Sequence, residues 1–271
     1  MTRALAFTAA RSHGRRTLVL DMARAGMLAR GVVYLLLTWL TVEIAAGRTT
    51  QQANDRGAFA EVASHTGGRV VLALLGVGLA LYALWRAYQA VAGSADERST
   101  GVKRLRWGAS AVAYGAMCVA AFSFVVGGGG SDQAQQQQTW TARLMSHDAG
   151  RWLVGAVGAA AALIGLAMIA TAVAGRFDQE VDTSQMSRRT AMVVTRMGIG
   201  GEVVRGIVVA ISGGLIVDAA VTYDASKSRG LDGALRTLAG HSYGSWLLGL
   251  IALGLAAFGL YSVAAARWVK V

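Results

Sequence analysis

Six runs of predominantly apolar residues divide the chain: Gly26–Ala46, Arg69–Val91, Trp107–Val126, Trp152–Ala174, Val203–Val221 and Tyr243–Ala265. Each is close to the ~20 residues that a helix needs to cross the hydrocarbon core of a bilayer. Shorter segments of alternating polarity, the signature of barrel strands, are not seen. The pattern predicts an all-α integral membrane protein with six transmembrane helices.

The polar stretches between the runs recur with them. When His65, His147 and His241 are superposed, at offsets of 82 and 176, Gly68 falls on Gly150 and Gly244. The segment Gly57–Ala63 falls on Gly233–Ala239, and Gly78–Tyr82 on Gly254–Phe258. The helix that opens each unit repeats too. Arg30-Gly31 corresponds to Arg205-Gly206 and Glu43 to Asp218, while in the middle unit Tyr34 meets Tyr114 but Arg30 meets Ser110. A fixed period of this size marks a repeat architecture. Each unit reads as an outward span, an outside loop with a short amphipathic helix, a glycine-marked turn and a return span. Two spans per unit give every copy the same orientation, so the repeats are parallel and related by an axis along the membrane normal. The expected organisation is a basic arm over 1–20 and two-helix repeats over 21–95, 96–176 and 177–271.

Composition agrees: 54% of residues are hydrophobic and 15% charged, with a mean hydropathy of +0.45. The net charge of +11 changes the picture only through its placement. The arm, the linkers between units and the carboxyl end hold 18 of the 26 cations and seven of the 15 acids, so the whole excess lies on one face. That is the positive-inside pattern, and it predicts both termini in the cytoplasm of a multi-pass cell-membrane protein, with anionic lipid headgroups as neighbours. It argues against nucleic acid as a partner. The arm carries the Arg15-Arg16 pair of a twin-arginine signal, but no apolar run with a cleavage site follows, and a basic cytoplasmic arm is expected. Cys118 is the only cysteine, which excludes an internal disulfide. The Gly- and Gln-rich stretch Gly127–Gln138 reads as a flexible outside loop.

The run Ala23–Leu37 (ARAGMLARGVVYLLL), the return Gly68–Gly93 (GRVVLALLGVGLALYALWRAYQAVAG) and their threefold recurrence resemble the domain of unknown function 1206 family. The resemblance covers nearly the whole chain after Asp21 and is weaker in the middle unit. It implies a bacterial, largely actinobacterial membrane protein of three two-helix repeats. It implies no activity.

Candidate chemistry is sparse. His65, His147 and His241 could form a zinc-ligand set if pseudo-threefold symmetry gathers them; the competing reading is a surface turn used three times. Glu43 and Asp218 are acids within apolar runs, hence candidates for ion coupling, although helix packing near the outer ends would also account for them. Arg30 and Arg205, about one turn inside the cytoplasmic helix ends, are expected to snorkel to lipid headgroups or to meet a partner. No catalytic constellation and no cofactor motif stands out, and no charged pathway through the centre is expected. The resulting expectation is a non-enzymatic accessory or scaffold subunit of a larger envelope complex, such as a lipid or solute transporter. The alternatives are a small transporter or channel and a lipid- or small-ligand-binding membrane protein.

Overall fold

The computed structural model describes residues 2–48, 54–93, 101–127, 133–147, 149–175, 181–228, 230–241 and 243–269. They form nine α-helices: α1 (Thr2–Ala45), α2 (Asp55–Ser64), α3 (Gly68–Ala92), α4 (Gly101–Val125), α5 (Gln133–Met145), α6 (Gly150–Val173), α7 (Arg188–Thr222), α8 (Gly230–Ala239) and α9 (Gly244–Ala265). Six of them, α1, α3, α4, α6, α7 and α9, are long and apolar enough to cross a membrane. Their outer faces carry exposed valines and leucines such as Val70, Leu74, Leu163 and Leu253, and aromatic residues such as Trp39, Trp152 and Trp246 stand exposed near the loop ends of the spans. Apolar flanks edged by aromatic belts are what a bilayer selects. Among the described residues the only strand-like feature is a single bridge between Val181 and Val269.

Two expectations need correction. The Gln run is helical from Gln133 onward as part of α5, with residues 128–132 outside the described ones. Gln is a good helix former, and Gln137 and Gln138 donate to Ser228 Oγ (3.2 Å) and the Ser226 carbonyl (3.0 Å) across the loop surface. The fifth span is longer than its apolar run because α7 starts at Arg188, where the Ser187 hydroxyl accepts from the Thr190 amide and caps the helix. The linker charges Asp96, Glu97 and Arg98 lie outside the described residues.

The units interlock in a cycle. The first span of each packs on the return span of another: α1 on α9, α7 on α6, and α4 on α3. Within units, α1 packs on α3 and α7 on α9, but α4 and α6 form no comparable interface among the described residues. The helices therefore follow one another as α4–α3–α1–α9–α7–α6, a ring of six with one seam open.

The open seam differs from the closed ones at facing positions on both helices: α4 has Arg106 for Gly26 and Gly201, and α6 has Ala160 for Gly78 and Gly254. A Cβ on Gly26 of α1 would lie 2.5 Å from Cβ of Tyr82 on α3, and a Cβ on Gly201 of α7 would lie 2.4 Å from Cβ of Phe258 on α9. The repeat register makes these the same contact. At that position α4 has Arg106, whose side chain cannot occupy the space. The residue of α6 that corresponds to Tyr82 and Phe258 is Ile164, and it is 58% exposed where they are 0% and 2%. Between units, small residues again set the spacing: a Cβ on Gly206 would meet the Gly165 carbonyl at 2.8 Å, and one on Gly31 the Gly259 carbonyl at 2.9 Å. Spans pack this closely through glycine because lipid offers them no hydrophobic gain on association.

The turn into each return span is built identically. His65, His147 and His241 each donate Nδ1–H to the carbonyl four residues back, Glu61 (2.9 Å), Arg143 (3.1 Å) and Thr237 (2.8 Å). The carbonyls of the same histidines accept from the amides of Gly68, Gly150 and Gly244 at 2.9, 2.9 and 2.7 Å. The imidazole thus donates to a helix-end carbonyl, which in the first two turns also accepts from the Ser64 or Ser146 hydroxyl at 2.6 or 2.7 Å. A Cβ on Gly68 or Gly150 would fall 1.7 or 1.6 Å from a carbonyl oxygen of the preceding helix, and on Gly244 2.4 Å. Substitution of any one by alanine is expected to cost about 2–3 kcal/mol. Gly249→Ala, with nothing within 4 Å of its Cβ, is expected to be neutral or stabilising by up to about 1 kcal/mol. Thermal unfolding of the four variants in mild detergent checks the contrast; equal melting temperatures for all four would refute it.

Candidate functional site

The packing brings an unexpected group of polar side chains together inside the bundle. Arg30 of α1 is 4% exposed. It donates Nε–H to Ser262 Oγ on α9 (3.1 Å) and Nη1–H to the hydroxyl of Tyr82 on α3. Arg86, four residues along α3 and buried, donates to the same hydroxyl through Nη2 (2.7 Å) and Nε (3.1 Å). Arg205 of α7 donates to Glu202 Oε2 (2.7 Å), one turn earlier on its own helix. Aromatic rings complete the group. Phe258 lies between two guanidiniums, Arg30 at 5.2 Å and Arg205 at 4.5 Å from its centroid, and Tyr82 stacks edge-on to Tyr114 at 4.5 Å. A desolvated cation over a ring gains about 2 kcal/mol, which offsets part of the cost of holding guanidiniums within a membrane.

The site sits near mid-span, somewhat to the side on which α1 begins: Arg30 is 11 residues from the start of the first span at Val19 and 15 from its other end at Ala45, roughly 16 and 22 Å at the helical rise per residue. It meets the open seam through α4 and α7. Arg106 of α4, with 57% of its side chain exposed, reaches Glu202 of α7 at 3.6 Å, and Glu202 is almost wholly buried. Arg205 is 27% exposed. Ala109 and Ala113 of α4 and Ala160 and Ile164 of α6 correspond to positions that close the seam in the other units, and all four are exposed. The seam is therefore left unpaired, with small and aliphatic side chains exposed along it and the Arg106–Glu202–Arg205 group at one end.

Arg30 does not snorkel: its guanidinium turns to the interior, where the Tyr82 and Ser262 hydroxyls and the Phe258 ring are its partners. Arg205 turns toward Glu202 and the rings of Tyr34 and Phe258 but keeps 27% of its side chain accessible. A charged centre thus exists where none was expected. Sequence reading missed Arg86, Arg106 and Glu202, together with the tyrosines. The available signal was the equivalence of Tyr34 with Tyr114 and of Arg30 with Arg205, which put polar residues at symmetry-related depths.

The remaining candidates lie elsewhere. The three histidines occupy separate turns, and among the described residues no three His, Cys, Asp or Glu side chains come together as a metal-ligand set. Asp218 is on the surface and pairs with Lys227 at 2.8 Å. Glu43 is half-buried in the last turn of α1. Helices α1 and α7 are separated by α9, so the two acids do not form one site.

At the loop end, α2 points its first turn inward. Asn54 is buried and caps the helix by accepting from the Gly57 amide (2.9 Å), and Gly57, Ala58 and Phe59 are buried behind it. Asp55 is half-buried beside them, and desolvation pushes its carboxyl from 3.8 up to about 6. A raised acid pKa favours the protonated folded state. Its contribution to folding is therefore fully present below about pH 4 and is lost as pH rises to about 6. Asp55→Asn is expected to flatten that slope and to raise stability at pH 7 by about 1–3 kcal/mol. Melting temperatures across pH 4–8 test this; parallel profiles for the two proteins would contradict it.

Comparison with known proteins places these features in a family. The model for the Domain of Unknown Function (DUF1206) matches three times, over residues 25–93, 105–175 and 200–269. Its starting points, 25, 105 and 200, keep Gly26, Arg106 and Gly201 in one register. An uncharacterized protein of Bacillus subtilis (strain 168), YxxB, is 30% identical over 243 residues, covering 89% of this chain and 87% of the relative. No solved structure matches. With three matches that together take in most of its length, the chain belongs to the domain of unknown function 1206 family.

Proposed function

We propose that this protein is a non-enzymatic membrane protein that binds a lipid-like molecule in the lateral cleft between α4 and α6. One observation carries the reading. The same within-unit seam is shut in the first and third repeats by glycine under an aromatic ring, and in the second it has an arginine and small exposed side chains instead. A cleft that opens sideways is reached from the bilayer, so its occupant is an amphiphile and not a water-soluble solute. The packed rings of Tyr34, Tyr82, Tyr114 and Phe258 across the centre speak against a continuous pore along the repeat axis. With the basic arm on the cytoplasmic side, the polar floor faces the inner leaflet. An accessory role in a larger envelope complex would fit the same opening if a partner's helix filled it.

Native mass spectrometry of the protein, extracted in mild detergent, distinguishes these. The reading expects one or two retained lipids. Ala160→Trp, which fills the cleft from an exposed position, is expected to reduce their occupancy by roughly fivefold, about 1 kcal/mol of binding. A lipid-free protein, or a stoichiometric protein partner in place of lipid, would overturn it.

A further inference from the structure

The repeat symmetry lets the polar floor of the cleft be read position by position. Three equivalent places near the axis are occupied by Arg30, Ser110 and Arg205. Arg30 is enclosed by Tyr82, Ser262 and the Phe258 ring. Arg205 lies over the Tyr34 and Phe258 rings and shares Glu202 with Arg106 of α4, with 27% of its side chain accessible. Ser110, in the unit that forms the seam, is far shorter than arginine, and its hydroxyl turns back to the Arg106 carbonyl at 2.9 Å. Two cations, Arg106 and Arg205, thus flank a small residue at the floor, and the acid that contacts them both is Glu202. This trio carries a net charge of +1.

The pairing within the trio is uneven. Glu202 is held by Arg205 at 2.7 Å and by Arg106 at 3.6 Å, and Arg106 is the more exposed of the two cations. The longer contact is the easier to exchange. An anionic oxygen arriving beside Ser110 would gain Arg106 outright and would approach the outer edge of Arg205, while Glu202 keeps its short bond. Guanidinium suits such an oxygen because its fork of N–H groups matches phosphate geometry. The depth suits it as well. Arg106 lies one residue turn inside the start of the third span at Lys103, where the phosphates of the adjoining leaflet sit, and the walls beyond it, Ala109, Ala113, Ala160 and Ile164, are apolar over the depth that acyl chains occupy.

Building on the reading that the cleft holds a lipid, we infer that its occupant is an anionic phospholipid whose phosphate ester is held by Arg106 and Arg205, with its chains lying between α4 and α6. Arg106 then has two roles: its bulk keeps the seam from closing, and its charge selects what enters.

The test uses the full chain reconstituted in bilayers of phosphatidylcholine and phosphatidylglycerol with identical acyl chains, followed by extraction in mild detergent and mass spectrometry of the retained lipid. The ratio of phosphatidylglycerol to phosphatidylcholine among the retained lipids is expected to exceed the bulk ratio by about tenfold, the effect of one charge-assisted contact. Arg106→Gln is expected to abolish most of that enrichment. Glu202→Gln, which raises the charge of the floor, is expected to increase it, and Arg151→Gln at the opposite end of the bundle to leave it unchanged. The wild-type preference is read without any variant, so a variant that fails to fold does not remove the test. Retained lipid in the bulk proportion, enrichment that survives Arg106→Gln, or equal loss in Arg151→Gln would overturn the inference while leaving the cleft as a lipid site. Absence of any retained lipid from the wild-type protein would instead overturn the reading on which it rests.

Discussion

Backbone-to-backbone approach is the constraint on which this bundle depends. Lipid tails are as apolar as leucine, so membrane helices gain little by burying leucine against one another; they hold together where side chains are small enough for close contact. Here that condition is met by glycine at Gly26, Gly31, Gly201 and Gly206, where an added Cβ would collide with the neighbouring helix. The middle unit departs from this pattern at both positions, with Arg106 and Ala111 on α4, and again at Ala160 of α6, which replaces Gly78 and Gly254. Arg106 stands where Gly26 and Gly201 admit Tyr82 and Phe258, and the pairing of α4 with α6 is lost while the pairing of α4 with α3 and of α6 with α7 persists. Two closed seams and one open seam go with these substitutions at facing positions, of which Arg106 is the bulkiest.

The same geometry makes charge tolerable in the interior. A guanidinium surrounded only by hydrocarbon is costly. Arg30 and Arg86 converge on the hydroxyl of Tyr82, Arg30 also reaches Ser262, and Arg205 meets Glu202, so hydrogen bonds replace water. The rings of Phe258, Tyr82, Tyr34 and Trp85 cover the flat faces of these cations. Tyr82 has a double function: its ring seats on Gly26 and closes the first unit, and its hydroxyl serves two arginines. Closure of the seams and solvation of the charges are therefore coupled, and where the seam is open the polar floor becomes reachable from the side.

Much of this was legible along the chain, for identifiable reasons. Apolar length gave the six spans, and period gave the three units. The His–Gly turns were legible as turns because histidine and glycine keep a fixed spacing in all three copies, and the structure assigns the imidazoles to helix-end carbonyls. Depth along a helix could be counted for Arg30 and Arg205, but rotation about its axis could not. Snorkelling and burial are equally compatible with an arginine one turn inside a span, and only packing against α3 and α9 decides between them. The open seam was hidden for a different reason. The drift of the middle unit was visible at Ser110, but its consequence depends on which residue of α3 or α9 faces Gly26 or Gly201, a tertiary relation. The helical Gln run was missed because composition was read without its partners Ser226 and Ser228.

The central claim is that Arg106 holds α4 away from α6. Its most direct measurement is disulfide trapping of a cysteine pair at Ala109 and Ala160 in a Cys118→Ala background. These positions correspond to Ala29 and Gly78, which approach so closely that a Cβ on Gly78 would lie 2.6 Å from that of Ala29. A disulfide requires Cα atoms within about 7 Å. The account predicts no cross-link under mild oxidation, and its appearance when Arg106→Gly is added. Rapid, complete cross-linking with Arg106 in place would contradict it.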